Sequence, residues 1–464
     1  MAMKRWLLWM MVTTFVLPAG GCGAARSYDN FSVPEQEAHT LVPVGNLTTG
    51  NSYAGVAATA EPTEAVYTSK DGRCRIEAKA HYYDVTLDLT DGGHYAAGAA
   101  YGEVLRQLPF SYEEQLEQYL YDSFGLLYGT LEESVRYDVI LERTRTIKAA
   151  LAEPYQQEMD GFSAQFSGGD TGLVRDGRIS SDEADLLHLI PDVLRETACS
   201  AITVDGSRTA SGKRLTARLL EWDLGKENCL TNAHCVLHLQ QGEQSLISVT
   251  SLGLLNVITG VNDDGVFAGI LDVGSAHAEY DSAGKISYTY AMREGLEACK
   301  TAKEFGDFMV AHAPDFPYNH NVIITDENDA FVAEDCHVSS EGRPLLRDRS
   351  TPLLDGLQWN AEGCLCTVNA FAAKGQYDCM TRIKSNAIRW LKYDRLFSGS
   401  DFISQERFKE LLTSEQTNNH FTKIRGSGLV FMLLADYETR SLQAVFTGKE
   451  GVTDYPEFLD LGVF

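Results

Sequence analysis

The sequence is poor in basic residues and has no second apolar run, beyond its N-terminus, that could approach a membrane span. Lys and Arg total 39 against 65 Asp and Glu, which gives the 464 residues a formal net charge of −26. Binding to phosphate backbones requires a basic surface, so no nucleic-acid partner is expected. No internal repeat of fixed period is present, which argues against a solenoid. Apolar residues still make up 44% and charged residues 22%, which excludes wholesale disorder.

The first 22 residues have the form of a signal peptide. Lys4 and Arg5 precede an apolar run from Trp6 to Leu17, which is shorter than the ~20 residues of a membrane span. Small residues then lead to Cys22, and Leu17-Pro-Ala-Gly-Gly-Cys22 resembles the lipobox of bacterial lipoproteins, in which the cysteine is acylated. The resemblance implies an exported protein, anchored to a membrane by acyl chains and facing the periplasm or the cell exterior. Plain secretion is the alternative.

Composition divides the rest of the chain into three parts. Residues 23–66 are rich in small and polar residues without periodicity and are interpreted as a flexible tether. Residues 67–198 carry apolar stripes at helical spacing and are predicted to be mainly helical. Residues 199–464 contain many short β-rich runs with at least one helical stretch between them. This order predicts an α+β fold for the C-terminal part.

Ten cysteines raise the question of pairing. Cys22 is assigned to the anchor, which leaves nine. An exported protein meets an oxidising compartment, so disulfides are expected, and an odd number leaves one free thiol. Cys199 is the candidate for that thiol, because it lies where helical sequence gives way to strand. Cys229, His234 and Cys235 could suggest zinc, but no second ligand pair accompanies them, so no metal or cofactor is predicted.

A hairpin is predicted to place an arginine beside Cys199. Turn signals separate the strand that ends at Val204 from the strand that begins at Lys213. If those two residues pair, antiparallel register sets Cys199 opposite Arg218. A guanidinium beside a thiol favours the thiolate, which is the nucleophilic form. The alternative interpretation is a structural cysteine at the start of a strand.

The sequence from Cys199 to Trp222 resembles a known enzyme family. Cys-Ser-Ala-Ile-Thr-Val, followed by Lys-Arg-Leu-Thr-Ala-Arg218-Leu-Leu-Glu221-Trp222, is similar to the cysteine N-terminal-nucleophile (Ntn) hydrolases. Within them it resembles the acyl-CoA:6-aminopenicillanic acid acyltransferase-like peptidases, with choloylglycine hydrolases and acid ceramidase as more distant relatives. Arg218 and Trp222 match the family's Arg-Asn-x-Asp-Trp pattern. Leu219 replaces its Asn, and Glu221 replaces its Asp.

Further segments of the chain resemble conserved blocks of the family and occur in the same order. They run from a glycine-rich propeptide signature, which lies before Cys199, to a closing hairpin near the C-terminus. These blocks are Asp91–Gly102, Thr259–Gly265, Asn321–Asp326, Phe331–Glu334, Thr367–Phe371 and Phe431–Gly448. The resemblance implies a four-layer αββα sandwich for residues 199–464. It also implies that residues 67–198 form a propeptide, which stays bound as a light chain after the precursor cuts itself between Ala198 and Cys199.

The same resemblance implies the chemistry. The freed α-amino group of Cys199 has a pKa suited to a general base, and the thiol attacks an amide carbonyl to form a thioester. Asn369 supplies an oxyanion donor, and Arg218 orients and charges the nucleophile. Glu221 holds Arg218 or the new ammonium, with the adjacent Asp223 as the alternative for this role. The substrate class is a small-molecule N-acyl amide, whose acyl group passes to water or to a second amine.

Asp272 departs from the family pattern. It stands where relatives such as choloylglycine hydrolases place an oxyanion-hole asparagine, and an ionised carboxylate repels an oxyanion. Either the correspondence is shifted, or Asp272 is protonated, or it serves another role. Together with Leu219 it motivates an alternative function, a non-catalytic surface lipoprotein that uses the Ntn fold as a binding module.

Overall fold

The computed structural model describes most of the chain after the predicted tether. The residues described are 65–128, 132–169, 172–193, 199–273, 282–337, 342–399, 401–413, 427–449 and 457–464. The predicted signal peptide, Cys22, almost all of the tether and Ala198 lie outside them. No helix within these ranges is both long and apolar enough to cross a membrane.

Ten strands form the first sheet. In chain order they are β1 (Val66–Thr68), β2 (Cys74–Ala78), β3 (Tyr83–Asp88), β6 (His234–Gln241), β7 (Gln244–Ser251), β8 (Thr259–Asn262), β9 (Phe267–Asp272), β10 (His320–Thr325), β11 (Ala330–Asp335) and β12 (Pro344–Arg347), and this is also their order in the sheet. All neighbours are antiparallel except β3 and β6, which pair in parallel. The first sheet therefore contains strands from the sequence before Cys199 and strands from the sequence after it, hydrogen-bonded in one layer.

Six strands form the second sheet, and all its neighbours are antiparallel. In sheet order they are β13 (Cys364–Val368), β4 (Ser200–Val204), β5 (Leu215–Asp223), β14 (Ser427–Asp436), β15 (Ser441–Phe446) and β16 (Leu459–Val463). The first residue of β4 follows Cys199 directly. Since β4 lies between β13 and β5, both neighbours can bring side chains to Cys199.

Helices cover the outer faces of both sheets. The helices of the described residues are α1 (His94–Leu105), α2 (Tyr112–Tyr128), α3 (Glu133–Ala150), α4 (Glu153–Ser163), α5 (Ser181–Val193), α6 (Tyr288–Ala298), α7 (Ala302–His312), α8 (Lys384–Phe397) and α9 (Gln405–Thr413). Helices α6 and α7 pack on the first sheet, α8 packs on β13 of the second, and β10 and β11 contact the second sheet.

Alternation along β14 separates the two cores. Phe431 and Leu433 belong to the larger core, which extends through the first sheet, whereas Met432 and Leu434 belong to the core beneath α8 and α9. Successive side chains of a strand point to opposite faces, so the second sheet is covered on both sides. The order helix, sheet, sheet, helix confirms the predicted α+β class and four-layer sandwich.

The segment expected to be mainly helical begins with three strands. β1 to β3 occupy residues 66–88, and α1 to α5 follow them. The alternating burial along β2 and β3 is typical of strands with one covered face. The segment before Cys199 is thus partly built into the first sheet.

The glycine-rich block near residue 95 allows α1 and α4 to pack closely. A Cβ on Gly98 would lie 1.9 Å from the Glu158 carbonyl oxygen, and a Cβ on Gly161 would lie 2.0 Å from the Tyr95 carbonyl oxygen. Only glycine permits this backbone approach. The block therefore reflects helix packing in the segment before Cys199.

The expected disulfides are absent from the described residues. No disulfide joins any two of the nine cysteines after Cys22, all of which lie in the described residues, and most of them are buried. The prediction of pairing was wrong for this part of the chain, where cysteine acts mainly as a small core residue.

A buried ion pair joins the segment before Cys199 to the segment after it. Arg293 of α6 donates from Nη1 to Oε2 of Glu158 in α4 (2.5 Å) and from Nη2 to Oε1 (2.9 Å), and both side chains are fully buried. His94 of α1 bonds the same carboxylate at 2.7 Å. Both charges are thereby compensated without solvent.

Replacing Arg293 by Met should destabilise the protein by about 3–5 kcal/mol, because Glu158 would remain as a buried charge without its main partner. Urea unfolding followed by circular dichroism measures the loss. The matched control is Lys303→Met, which breaks the exposed Lys303–Asp307 pair of α7 and should cost at most about 1 kcal/mol. Equal losses in the two variants would contradict the assigned role of the buried pair.

Candidate active site

Cys199 is buried at the start of β4 and is contacted at each of its polar atoms. Its backbone nitrogen donates to Oδ1 of Asn369 (2.6 Å), and its carbonyl oxygen accepts a bond from Arg389. Its Sγ lies 3.5 Å from Nη2 of Arg218 and 3.8 Å from the carbonyl oxygen of Glu221. The thiol, the peptide nitrogen and the carbonyl therefore have fixed orientations.

The predicted hairpin forms, but its register differs from the prediction by two residues. Val204 pairs with Leu215, so Ala201, and not Cys199, lies opposite Arg218. Because the side chains of a strand repeat every two residues, a shift of two leaves Arg218 on the same face as Cys199. The guanidinium then reaches back along the strand to Sγ. The predicted contact is present although the predicted pairing was wrong.

Arg218 crosses from the second sheet to the first. Its Nη2 donates to the carbonyl oxygen of Ile270 in β9 (2.6 Å), and the side chain is almost fully buried. A Cβ on the neighbouring Gly269 would lie only 2.8 Å from Cγ of Arg218. A glycine in β9 thus leaves the space that the arginine occupies.

Asn369 links β13, β9 and the nucleophile. Its Oδ1 accepts from the Cys199 nitrogen and from Nη2 of Arg389 (2.9 Å), while its Nδ2 donates to the carbonyl oxygen of Asp272 (2.7 Å). Two donors on one side and an acceptor on the other fix which end of the amide is oxygen. The predicted oxyanion residue is therefore within one hydrogen bond of Cys199.

Glu221 is buried beside two arginines. Its Oε2 lies 3.7 Å from Nη1 of Arg389, so the nearest recorded cation is Arg389 and not Arg218. Burial raises the pKa of Glu221 to about 8, and the positive charges of Arg389 and Arg218 only partly oppose that rise. In the uncleaved chain this carboxyl group is mostly protonated at neutral pH.

Asp272 ends β9 and contributes its main chain to the site. Its carbonyl accepts the Asn369 amide, and its side chain is 8% exposed. Its charge also acts on the thiol. Burial raises the pKa of Cys199, Arg218 opposes that rise, and Glu221 and Asp272 add to it. The net direction is upward, so the thiolate that Arg218 was expected to favour is not the resting form of the uncleaved chain.

Sequence reasoning missed Arg389 and Asn386 of α8. Besides its bonds to Cys199 and Asn369, Arg389 donates from Nη2 to Oδ1 of Asn386 (2.6 Å), and Asn386 donates to the backbone carbonyl of Asn369 (2.8 Å). Both side chains are buried on the face of α8 that includes Trp390. The available signal was two polar residues three positions apart within the apolar stripe of a helix.

All five predicted site residues are therefore brought together, with Arg389 and Asn386 added. Within the part of the chain that the structure describes, no group of three or more His, Cys, Asp or Glu could hold a metal ion.

Replacing Glu221 by Gln should remove a pH dependence of folding. A carboxyl group whose pKa rises from 4.5 unfolded to about 8 folded contributes stability at low pH that is lost as the pH rises through this window. The Gln variant should gain stability relative to its parent as the pH rises from 5 to 8. Urea unfolding at several pH values measures this, with the exposed Glu410→Gln as control. A constant difference between parent and Gln variant would contradict the buried, protonated state.

No protein-family model and no curated protein matches the chain, but solved structures do. It is similar to a Caenorhabditis elegans N-acylethanolamine-hydrolyzing acid amidase ortholog at 14% identity and TM-score 0.36, over 51% of this chain and 92% of that one. It is similar to penicillin V acylase from Agrobacterium tumefaciens at 11% identity and TM-score 0.33, over 57% and 86%. A mutant conjugated bile acid hydrolase from Clostridium perfringens gives 11% identity and TM-score 0.34, over 57% and 92%.

Proposed function

We propose that the protein is a self-processing cysteine amidohydrolase that cleaves a C–N amide bond, or transfers its acyl group, through a thioester on Cys199. The observation that carries the proposal is the placement of Cys199. Its thiol lies beside a buried guanidinium, and its peptide nitrogen bonds the amide of Asn369. A structural cysteine at a strand start would require neither contact.

Self-cleavage would begin with attack of the Cys199 thiolate on the carbonyl carbon of residue 198. The C–N bond breaks as the nitrogen of Cys199 takes up a proton, which leaves a thioester on Sγ and a free α-amino group. Water then hydrolyses the thioester and frees the carboxylate of residue 198. The high thiol pKa makes thiolate formation the demanding step, and Arg218 is the cation within reach of the sulfur.

After cleavage the new α-amino group would serve as the general base. An α-amino group has a pKa of about 7.7–8.0, so at neutral pH a useful fraction is unprotonated. Oδ1 of Asn369 already accepts a hydrogen from this nitrogen. The same bond would orient the amine so that its lone pair can take the proton of the thiol.

The oxyanion of an attacked amide would be stabilised by Asn369. One hydrogen of its Nδ2 bonds the Asp272 carbonyl, and we assign the second hydrogen to the oxyanion. Asp272 thus acts through its backbone, as the acceptor that aligns the donor. This role uses the main-chain carbonyl of Asp272 and does not depend on its side chain.

We also propose that the two chains remain associated after cleavage. β3 and β6 pair in parallel over six residue pairs, and the Glu158–Arg293 ion pair is fully buried between the two parts. Separation would expose the core strands and both charges.

Residues 1–22 are proposed to direct export, with lipidation of Cys22 as the anchor.

Self-cleavage should disappear in Cys199→Ala and persist in Cys366→Ala. Cys366 is a matched control, because it is buried in the neighbouring strand β13 and pairs with Ile202 of β4. Denaturing gel electrophoresis of freshly translated protein reports two chains or one. Two chains from Cys199→Ala, or a single chain from the folded parent, would refute self-cleavage at this residue.

Arg218→Met should slow acylation of Cys199 by about 100-fold, because the thiolate loses its neighbouring cation. The readout is labelling of the mature protein by a thiol-reactive acyl probe, resolved by peptide mass spectrometry. Arg214→Met is the control. Arg214 is a buried arginine just before β5 that pairs with Asp205, away from the thiol. Labelling that fails in the folded parent would favour a binding module, and equal rates in both variants would contradict the role of Arg218.

A further inference from the structure

Asn369 lies at the apex of a very tight turn directly after β13. The nitrogen of Ala370 donates to the carbonyl oxygen of Val368 (2.7 Å), so the chain reverses around the single residue between them. A turn of this size has few internal hydrogen bonds to fix its direction. The position of the Asn369 side chain therefore depends on what binds the turn from outside.

Asn321 of β10 binds this turn from the opposite sheet. Its Nδ2 donates to the carbonyl oxygens of Val368 (3.1 Å) and Ala370 (2.9 Å), and to Oγ1 of Thr367 (3.0 Å). The two carbonyls flank Asn369 on either side. Asn321 itself is fully buried, so water does not replace these bonds. One amide group thus holds both ends of the turn.

Two charged residues of the first sheet bind the chain on either side of the same turn. Glu334 of β11 is the register partner of Asn321, and its carboxylate accepts from the nitrogens of Ala372 (3.0 Å) and Ala373 (3.1 Å). Arg347 of β12 donates to Glu334 (2.6 Å) and to the carbonyl oxygen of Cys366 (2.8 Å).

Asn321, Glu334 and Arg347 therefore form an inter-sheet clamp around residues 366–373. All three side chains are almost fully buried. The bond between Arg347 and Glu334 lies within the first sheet, and the other bonds just described run from that sheet to the segment around Asn369. The fold alone does not require so many buried polar groups, since apolar side chains could fill the same space.

We propose that Asn321 is a positioning residue for the reaction of Cys199, acting by fixing the turn that presents Asn369. The proposal rests on the proposed function, because it assumes that Asn369 donates to the oxyanion. A misplacement of a catalytic donor by about 1 Å can cost about 100-fold in rate. Removal of the Asn321 amide leaves the carbonyls of Val368 and Ala370 without this donor, and the turn is then free to shift.

The test measures the rate at which newly translated protein cleaves itself, sampled over time and expressed per folded molecule. Asn321→Leu keeps the side-chain volume and removes the donors, and cleavage is expected to slow by about 10- to 100-fold. Asn321→Ala removes the same donors without a branched side chain and is used if the Leu variant does not fold.

Asn262→Leu is the matched control. Asn262 is also buried in the first sheet, and its Nδ2 also donates to two carbonyls, those of Leu296 and Cys299 (2.8 Å each), but away from Cys199. Both substitutions should lower the melting temperature, and only Asn321→Leu should slow cleavage. In an Asn369→Ala background, Asn321→Leu should still lower stability but should no longer slow the cleavage that remains.

The outcomes separate this inference from the proposed function. If the parent cleaves and Asn321→Leu cleaves at the parental rate, or if Asn262→Leu slows cleavage equally, the positioning role is overturned and the proposed function stands. The same holds if Asn321→Leu slows cleavage by the same factor with and without Asn369. If the folded parent does not cleave at all, the proposed function fails and the inference fails with it.

Discussion

The site depends on the buried side chain of Arg218, which spans the space between the two sheets. It starts from β5 of the second sheet, bonds the Ile270 carbonyl of the first and reaches the sulfur of Cys199. Gly269 leaves the room that this path needs. One arginine thus contacts both sheets and also places a positive charge beside the nucleophile. A residue larger than glycine at position 269 would disturb the spacing of the sheets and the position of that charge.

Burial determines the charge state of the site before cleavage. Both Cys199 and Glu221 have raised pKa values because both are removed from water, while two guanidiniums, Arg218 and Arg389, lie beside them. Protons on the thiol and on Glu221 limit the number of negative charges in a region of low dielectric. The proposed cleavage would add an ammonium next to this group, and we expect that charge to favour the ionised form of Glu221. The protonation of the site would then change on cleavage.

Several features of the fold could be predicted from the sequence because their signals are local. Arg218 was placed beside Cys199 even with a register error, since a shift of two residues preserves the face of a strand. The strands β2 and β3 carry the alternation that marks a strand and were overlooked beside longer helical stripes. The expectation of disulfides came from the predicted compartment and not from residue spacing, and it was wrong for the described cysteines.

Other parts of the site could not be predicted, because they depend on contacts between distant segments. In the sequence the clamp residue Asn321 looks like any other strand residue, because its contacts form only when β13 packs against β10. No local motif predicts that Arg389 contacts Cys199. The glycine-rich block was recognised only as a family pattern. The structure gives the physical reason for its glycines, which is the close packing of α1 against α4. Local pattern indicates which residues share a face, whereas packing decides which faces meet.

The most direct test of the central claim is N-terminal sequencing of the purified, folded protein. The account predicts a second chain that begins Cys-Ser-Ala-Ile, with Cys199 as its first residue. A single uncleaved chain in active protein, or a second chain that begins at another residue, would contradict it.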